Sequence, residues 1–253
     1  MSRLAKAYVF DIELDGSRDP VIKRTVEVPA SYTFQELHYV LQYAFAWQNY
    51  HLHSFTFHEP LPPPPTDGRF VPRIPKEALR IIGEEDDFDD FLGPAPLLDK
   101  KVKLSDVYGA RGRYRKRVVQ EGAIPPMLYE YDFGDCWEHT VILKGEKTAA
   151  ANRPIFTEVV GYPPVEDCGG LGGWEGVKKA FAAANPTPDQ LERRKWAVGV
   201  MGLIGCSDPI AVGDVPYSPL NEVDIDKMND EERWERHLSA EREAEAMRNE
   251  GWF

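Results

Sequence analysis

Ala7-Tyr8-Val9-Phe10-Asp11-Ile12-Glu13-Leu14-Asp15 alternates: Tyr8, Phe10, Ile12 and Leu14 fall on one side, Asp11, Glu13 and Asp15 on the other. A period of two is that of a half-buried strand. After a turn-forming stretch at 16–20, Ile22, Val26 and Val28 resume the alternation with Arg24 interrupting it, which reads as an antiparallel hairpin. Thr33 and Glu36 then have the spacing of a capping box, and Tyr32 and Leu37 that of a hydrophobic staple. Phe34, Leu37, Val40, Leu41, Ala44 and Phe45 follow as an apolar stripe at helical spacing. Residues 51–58 return to strand character. This strand–strand–helix–strand opening predicts an α+β fold with a mixed or mainly antiparallel sheet packed with helices; a ubiquitin-like β-grasp start is one topology that fits.

Further along, Tyr129, Tyr131 and Phe133 alternate with Leu128, Glu130 and Asp132, and Trp137, His139, Val141 and Leu143 share one side of a return strand. Gly134-Asp135 between them predicts a two-residue hairpin turn, with the glycine supplying a positive φ. A third strand is expected at about 155–161, and helices at about 174–184 and 188–200. Residues 59–99 differ in character. A proline run at 62–65 and an acidic run at 84–90 have little to bury, which predicts a mostly irregular insertion. The basic stretch 111–117 is expected on a loop close to that acidic run. One domain is therefore expected over 1–225, followed by a charged helical tail at 226–253, read as solvated. Residues 222–250 hold 11 acidic and 5 basic side chains, about half of the net charge of −12, so the folded body is less acidic than the total suggests.

At 253 residues and 42% hydrophobic, the chain can bury a sizeable core. The net charge of −12 repels a duplex polyanion on average, so nucleic-acid binding requires a local basic patch. Cys136, Cys168 and Cys206 are odd in number and lack Cys-x-x-Cys spacing, which suits a reducing, intracellular setting. The N-terminal residues lack a signal-peptide core. The longest membrane-like run, 196–205, is about half of the roughly 20 residues a spanning helix needs. A non-secreted, non-membrane protein is expected.

Several blocks carry a family resemblance: Glu36-Leu37-His38, Trp47 with His51-Leu52-His53-Ser54-Phe55, Tyr129-Glu130-Tyr131-Asp132-Phe133-Gly134-Asp135-Cys136-Trp137-Glu138-His139, then Pro163-Pro164 and Glu166-Asp167-Cys168-Gly169-Gly170. In this order, over roughly residues 5–225, they resemble the plasmid pRiA4b Orf-three-like family. The resemblance implies an α+β domain of the kind found on plasmids, near mobile elements with resolvase-like names, and in fungi. It carries over no catalytic residues. The 59–99 insertion and the C-terminal extension depart from the compact family pattern and point to a free-standing cellular version.

The candidate pocket comprises His51, His53, Asp132, Asp135, Cys136, Trp137, His139, Asp167 and Cys168. Two apart on a strand, His51 and His53 would face the same way, and with His139 as a third ligand they could hold a divalent metal. The alternative is that His51 and His53 are half-buried beside Phe55 and Phe57, and that His139 is an ordinary core histidine. Residues 166–173 have four glycines before a helix, but Glu166 and Asp167 would repel a phosphate. A tight loop whose Asp167 accepts backbone N–H bonds fits better. Adjacent carboxylates oppose thiolate formation at Cys136 and Cys168. Arg111, Arg113, Tyr114, Arg115, Lys116 and Arg117 are the nucleic-acid candidates.

These readings favour a binding or interaction module with a protein partner, ahead of a metal-dependent hydrolase or nuclease-like enzyme and of a nucleic-acid accessory protein linked to mobile elements.

Overall fold

The computed structural model describes residues 5–61, 63, 74–83, 95–203 and 218–249. In chain order its elements are β1 (Lys6–Leu14), β2 (Lys23–Pro29), α1 (Phe34–Phe45), β3 (His53–His58), β4 (Glu77–Ile82), β5 (Leu97–Leu98), a 3-10 turn (Asp99–Lys101), α2 (Leu104–Tyr108), α3 (Arg115–Val118), β6 (Met127–Tyr131), β7 (Trp137–Thr148), β8 (Ile155–Val160), α4 (Gly170–Ala182), α5 (Pro188–Leu203), α6 (Ile225–Met228) and α7 (Glu231–Asn249). The strands make one sheet in the order β5-β4-β3-β6-β7-β1-β2-β8. All pairings are antiparallel except β4 with β5, so the fold is α+β with a mixed, mostly antiparallel sheet. No helix among the described residues is long and apolar enough to cross a membrane.

The period-two patterns set the register. Leu14, His139, Tyr129, Phe55 and Ile81 are successive partners across five strands, and all are buried. Against this face lies α1, started by the expected capping box: Thr33 Oγ1 accepts from Glu36 N, and Glu36 accepts from Thr33 N. The apparent irregularity at Arg24 has a local function. Its fully buried guanidinium donates to the Ala44 carbonyl in the last turn of α1 and to the carbonyls of Lys23 and Val160, and it lies over the Phe45 ring. A cation is thus fixed at the negative end of the helix.

Two expectations are corrected, for the central turn and the C-terminal helix. The 59–99 segment, expected to be mostly irregular, contains β4 and β5. Leu79 and Ile81 are fully buried, and the apolar content of 77–82 extends the sheet beyond β3. The acidic run at 84–90 lies outside the described residues, as does most of the proline run. The central turn is longer than two residues. Buried Tyr131 and Trp137 form the closing pair, which leaves five residues between the strands. Asp132 (φ 56°) and Cys136 (φ 54°), rather than Gly134, supply the left-handed backbone.

Nor is the C-terminal helix merely solvated. Trp234, His237, Leu238 and Glu241 of α7 are buried against α1. Trp234 meets the Tyr43 ring edge-on at 5.3 Å, and His237 Nε2 donates to the Tyr39 carbonyl. α1 is therefore enclosed on both sides, which explains why Tyr39, Gln42 and Tyr43, off its predicted apolar stripe, are buried too. Between α6 and α7, the Asn229 carboxamide bonds both N–H and C=O of Phe156 on edge strand β8.

Trp234→Ala should lower the unfolding free energy by about 3–5 kcal/mol, measured by urea denaturation, whereas a solvated helix would lose almost nothing. His139 gives a pH-dependent test. Burial depresses its pKa from 6.5 to about 3, and it donates from Nδ1 to the Trp137 carbonyl. The unfolded chain takes up this proton first, so the contribution to stability is complete above pH 6.5 and is lost as pH falls toward 3. His139→Phe should reduce the stability lost between pH 7 and 5 by about 2 kcal/mol, read from urea titrations at the two pH values.

Candidate functional site

Three loops meet at one end of the sheet: 46–52 after α1, 132–136 between β6 and β7, and 161–169 after β8. Aromatic stacking and one buried carboxylate tie them together. Trp47 stacks on Phe45 and on Tyr131, each at 5.1 Å, and its indole N–H donates to the Pro164 carbonyl. Glu166 is fully buried. It accepts from Gln48 N at 2.8 Å and from the Tyr131 hydroxyl, and that hydroxyl accepts from Tyr50 N. Desolvation raises the Glu166 pKa, while these donors oppose the rise.

On this foundation His51 Nε2 lies 3.0 Å from Asp167 Oδ1 and 3.7 Å from Asp132 Oδ2. The three donor atoms all lie within 4.8 Å of one another. Asp132 is held by its own backbone, N–H to the Leu52 carbonyl, and by Oδ1, which accepts from Gly134 N. That leaves Oδ2 toward the imidazole. Both carboxylates stand on left-handed residues, Asp132 at φ 56° and Asp167 at φ 59°. Asp tolerates this conformation at a modest cost.

Asp135 takes the part expected of Asp167: its Oδ2 accepts from Gly169 N and joins the second and third loops. Two of the glycines there, Gly170 and Gly173, are sterically required. A Cβ on Gly170 would stand 2.6 Å from the Asp135 carbonyl oxygen, and one on Gly173 1.6 Å from that of Cys168.

The three histidines do not converge. His51 precedes β3 in a bend, so two-residue alternation does not apply to it. His53, inside β3, turns to Asp99 (Nε2 to Oδ2, 3.1 Å) and stacks on His38 with ring centroids 3.5 Å apart. Burial lowers His53 to about 3 and raises Asp99 to about 6. His139 and Trp137 are core residues, fully buried beside Trp47. Of His51, His53 and His139, only His51 falls within a cluster of possible donors among the described residues, together with Asp132 and Asp167.

Cys136 is exposed with its thiol toward the Phe133 carbonyl, and Cys168 points to that of Gly170. Desolvation first, then neighbouring carboxylates, raise the pKa of both, Cys168 to about 12. Neither is an activated nucleophile.

Sequence reasoning missed Glu166 as a loop anchor, although it stood inside the Pro-Pro-x-Glu-Asp-Cys-Gly-Gly block. Asn49 was missed as well. It bridges His38 Nε2 (2.7 Å) and Glu241 Oε2 of α7 (2.6 Å). The basic stretch lies on the α2–α3 turn and in α3, where Arg113 pairs with Asp106 and Arg115 donates to the Tyr108 carbonyl.

The fold is shared with the crystal structure of a protein of unknown function, MM3350, from Methanosarcina mazei Go1. The TM-score is 0.59 at 24% identity, covering 90% of this chain and 98% of that one. In sequence the chain is similar to the uncharacterized protein y4hQ of Sinorhizobium fredii, 28% identical over 165 residues that span 65% of this chain and 68% of that protein. Residues 6–201, which include all three loops, match the family described as Plasmid pRiA4b ORF-3-like protein, and the chain belongs to that family.

Proposed function

We propose that the chain is a binding module whose ligand centre is the His51–Asp132–Asp167 cluster, and that this cluster takes one divalent ion of the Zn2+ type. The observation that carries this reading is the approach of one imidazole nitrogen and two carboxylate oxygens to within 4.8 Å, each from a different loop. An imidazole with two carboxylates suits a borderline ion such as Zn2+ better than Mg2+ or Ca2+, which prefer all-oxygen shells. The cross-linked loops favour binding, because little backbone would have to be ordered when the ion arrives. The unpaired thiols of Cys136 and Cys168 support an intracellular setting.

A second reading, metal-dependent hydrolysis, draws on exposure. The Asp167 side chain is 59% exposed, so three protein donors would leave a coordination position open to solvent. A bound ion there would supply an acidified water. Asp132, oriented by Gly134 N, and His51, leaning edge-on to Tyr131, would hold their donor atoms in place.

Isothermal titration of the full chain with ZnCl2 should show about one equivalent bound. His51→Ala and Asp132→Asn should each weaken it by about 100-fold or more, consistent with the loss of a direct ligand where outer-shell changes cost 10–100-fold. Absence of Zn2+ uptake by the unaltered chain, or uptake that both variants retain, removes the reading. Hydrolysis of a phosphodiester probe that appears with Zn2+ and disappears in His51→Ala would select the enzyme over the binding module.

A further inference from the structure

On a chain with a net charge of −12, eight cations fall within residues 100–117, against a single acid, Asp106. They come from two segments, Lys100, Lys101 and Lys103 around the 3-10 turn, and Arg111, Arg113, Arg115, Lys116 and Arg117 around α3. Arg113 joins the segments: its Nη2 donates to the Lys101 carbonyl at 2.6 Å and pairs with Asp106 at 3.1 Å. Asp106 also accepts from Lys103 N, so the one acid within 100–117 is spent on internal links. Lys100, Lys101, Lys103, Arg111, Lys116 and Arg117 are exposed, and none is in an ion pair among the described residues. Elsewhere Lys6, Lys23, Lys144 and Lys147 are each paired with a carboxylate.

Arg113 distinguishes this surface from a generic basic patch. Its guanidinium lies over the Tyr114 ring at 4.7 Å, and that ring packs against the core. The hydrogen bond to Lys101 and the pair with Asp106 hold one edge, yet the side chain remains 55% exposed. The result is a flat cationic plate fixed from below and at its edge, with its outer face open. Guanidinium planes and aromatic rings are the surfaces on which unpaired bases stack, and flanking lysines and arginines follow the backbone between them. A carboxylate-rich peptide would engage the Arg fork, which is already committed here, and duplex bases are not free to stack on the plate.

We infer that the surface formed by residues 100–103 and 111–117 binds single-stranded nucleic acid, with Arg113 on Tyr114 as a base-stacking platform and the six exposed cations as phosphate contacts. The site is independent of the His51–Asp132–Asp167 cluster.

The test is fluorescence anisotropy of the full chain with labelled dT12 and rU12, a matched duplex and a polyglutamate peptide, over a salt series. The expected result is single-strand binding that weakens with salt at a log–log slope of about −0.7 per phosphate contacted. Arg113→Ala should reduce affinity about tenfold or more, consistent with loss of one stacked base, with little change in the salt slope. Lys116→Glu with Arg117→Glu, both exposed, should reduce affinity and flatten the slope while circular dichroism and the thermal midpoint stay unchanged. His51→Ala should leave the binding intact. No single-strand binding at low salt, binding that survives the Lys116/Arg117 reversal, or equal binding of duplex or polyglutamate would each overturn the assignment.

Discussion

A single carboxylate, that of Glu166, governs the end of the sheet that carries the candidate site. Withdrawn from solvent, it satisfies the Gln48 amide and the Tyr131 hydroxyl, and through that hydroxyl the Tyr50 amide. A buried acceptor with this many dependants cannot be exchanged for an apolar group without orphaning their donors, at roughly 1–3 kcal/mol each. The loops bearing His51, Asp132 and Asp167 have no regular secondary structure of their own. Their relative placement derives from this hub, from Asp135 on the Gly169 amide, and from the Trp47 indole on Pro164.

The same logic extends outward through Asn49. Its side chain connects the loop before His51 to His38 inside the core and to Glu241 on α7, whose carboxyl burial raises to about 7. The terminal helix is therefore part of the frame that sets the first loop. Gln35 and Tyr39 bond Glu245 one turn further along, so α1 and α7 share a polar seam beside their aromatic contact.

Much of this fold could be read in the sequence because local patterns determined it. The alternation in 7–15 and 127–143 fixed the inward faces, and Thr33 with Glu36 marked the start of α1 to the residue. What could not be read depended on partners distant along the chain. Nothing local to Arg24 reveals that the end of α1 would come to rest on it. The sparse apolar positions of α7 look solvated until α1 offers Tyr39 and Tyr43 to cover them. For the candidate site, the segments were legible but the pairing was not. His51 and His53 look equivalent in sequence, yet β3 begins between them and sends one imidazole to Asp167 and the other to Asp99. Asp132 and Asp167 both lie beside His51, and Asp132 is oriented within its own turn by Gly134 N.

The Asn229 carboxamide on Phe156 bears on solubility as well as shape. An outermost strand offers a free row of peptide groups that another polypeptide can zip onto. By presenting an amide of its own to both groups of Phe156, Asn229 mimics one rung of a further strand and then ends the ladder, because a side chain cannot continue it. The segment leading into α7 thus acts as a stopper against fibril-like stacking, and a chain shortened before residue 229 would lose both its helical cover and this stopper.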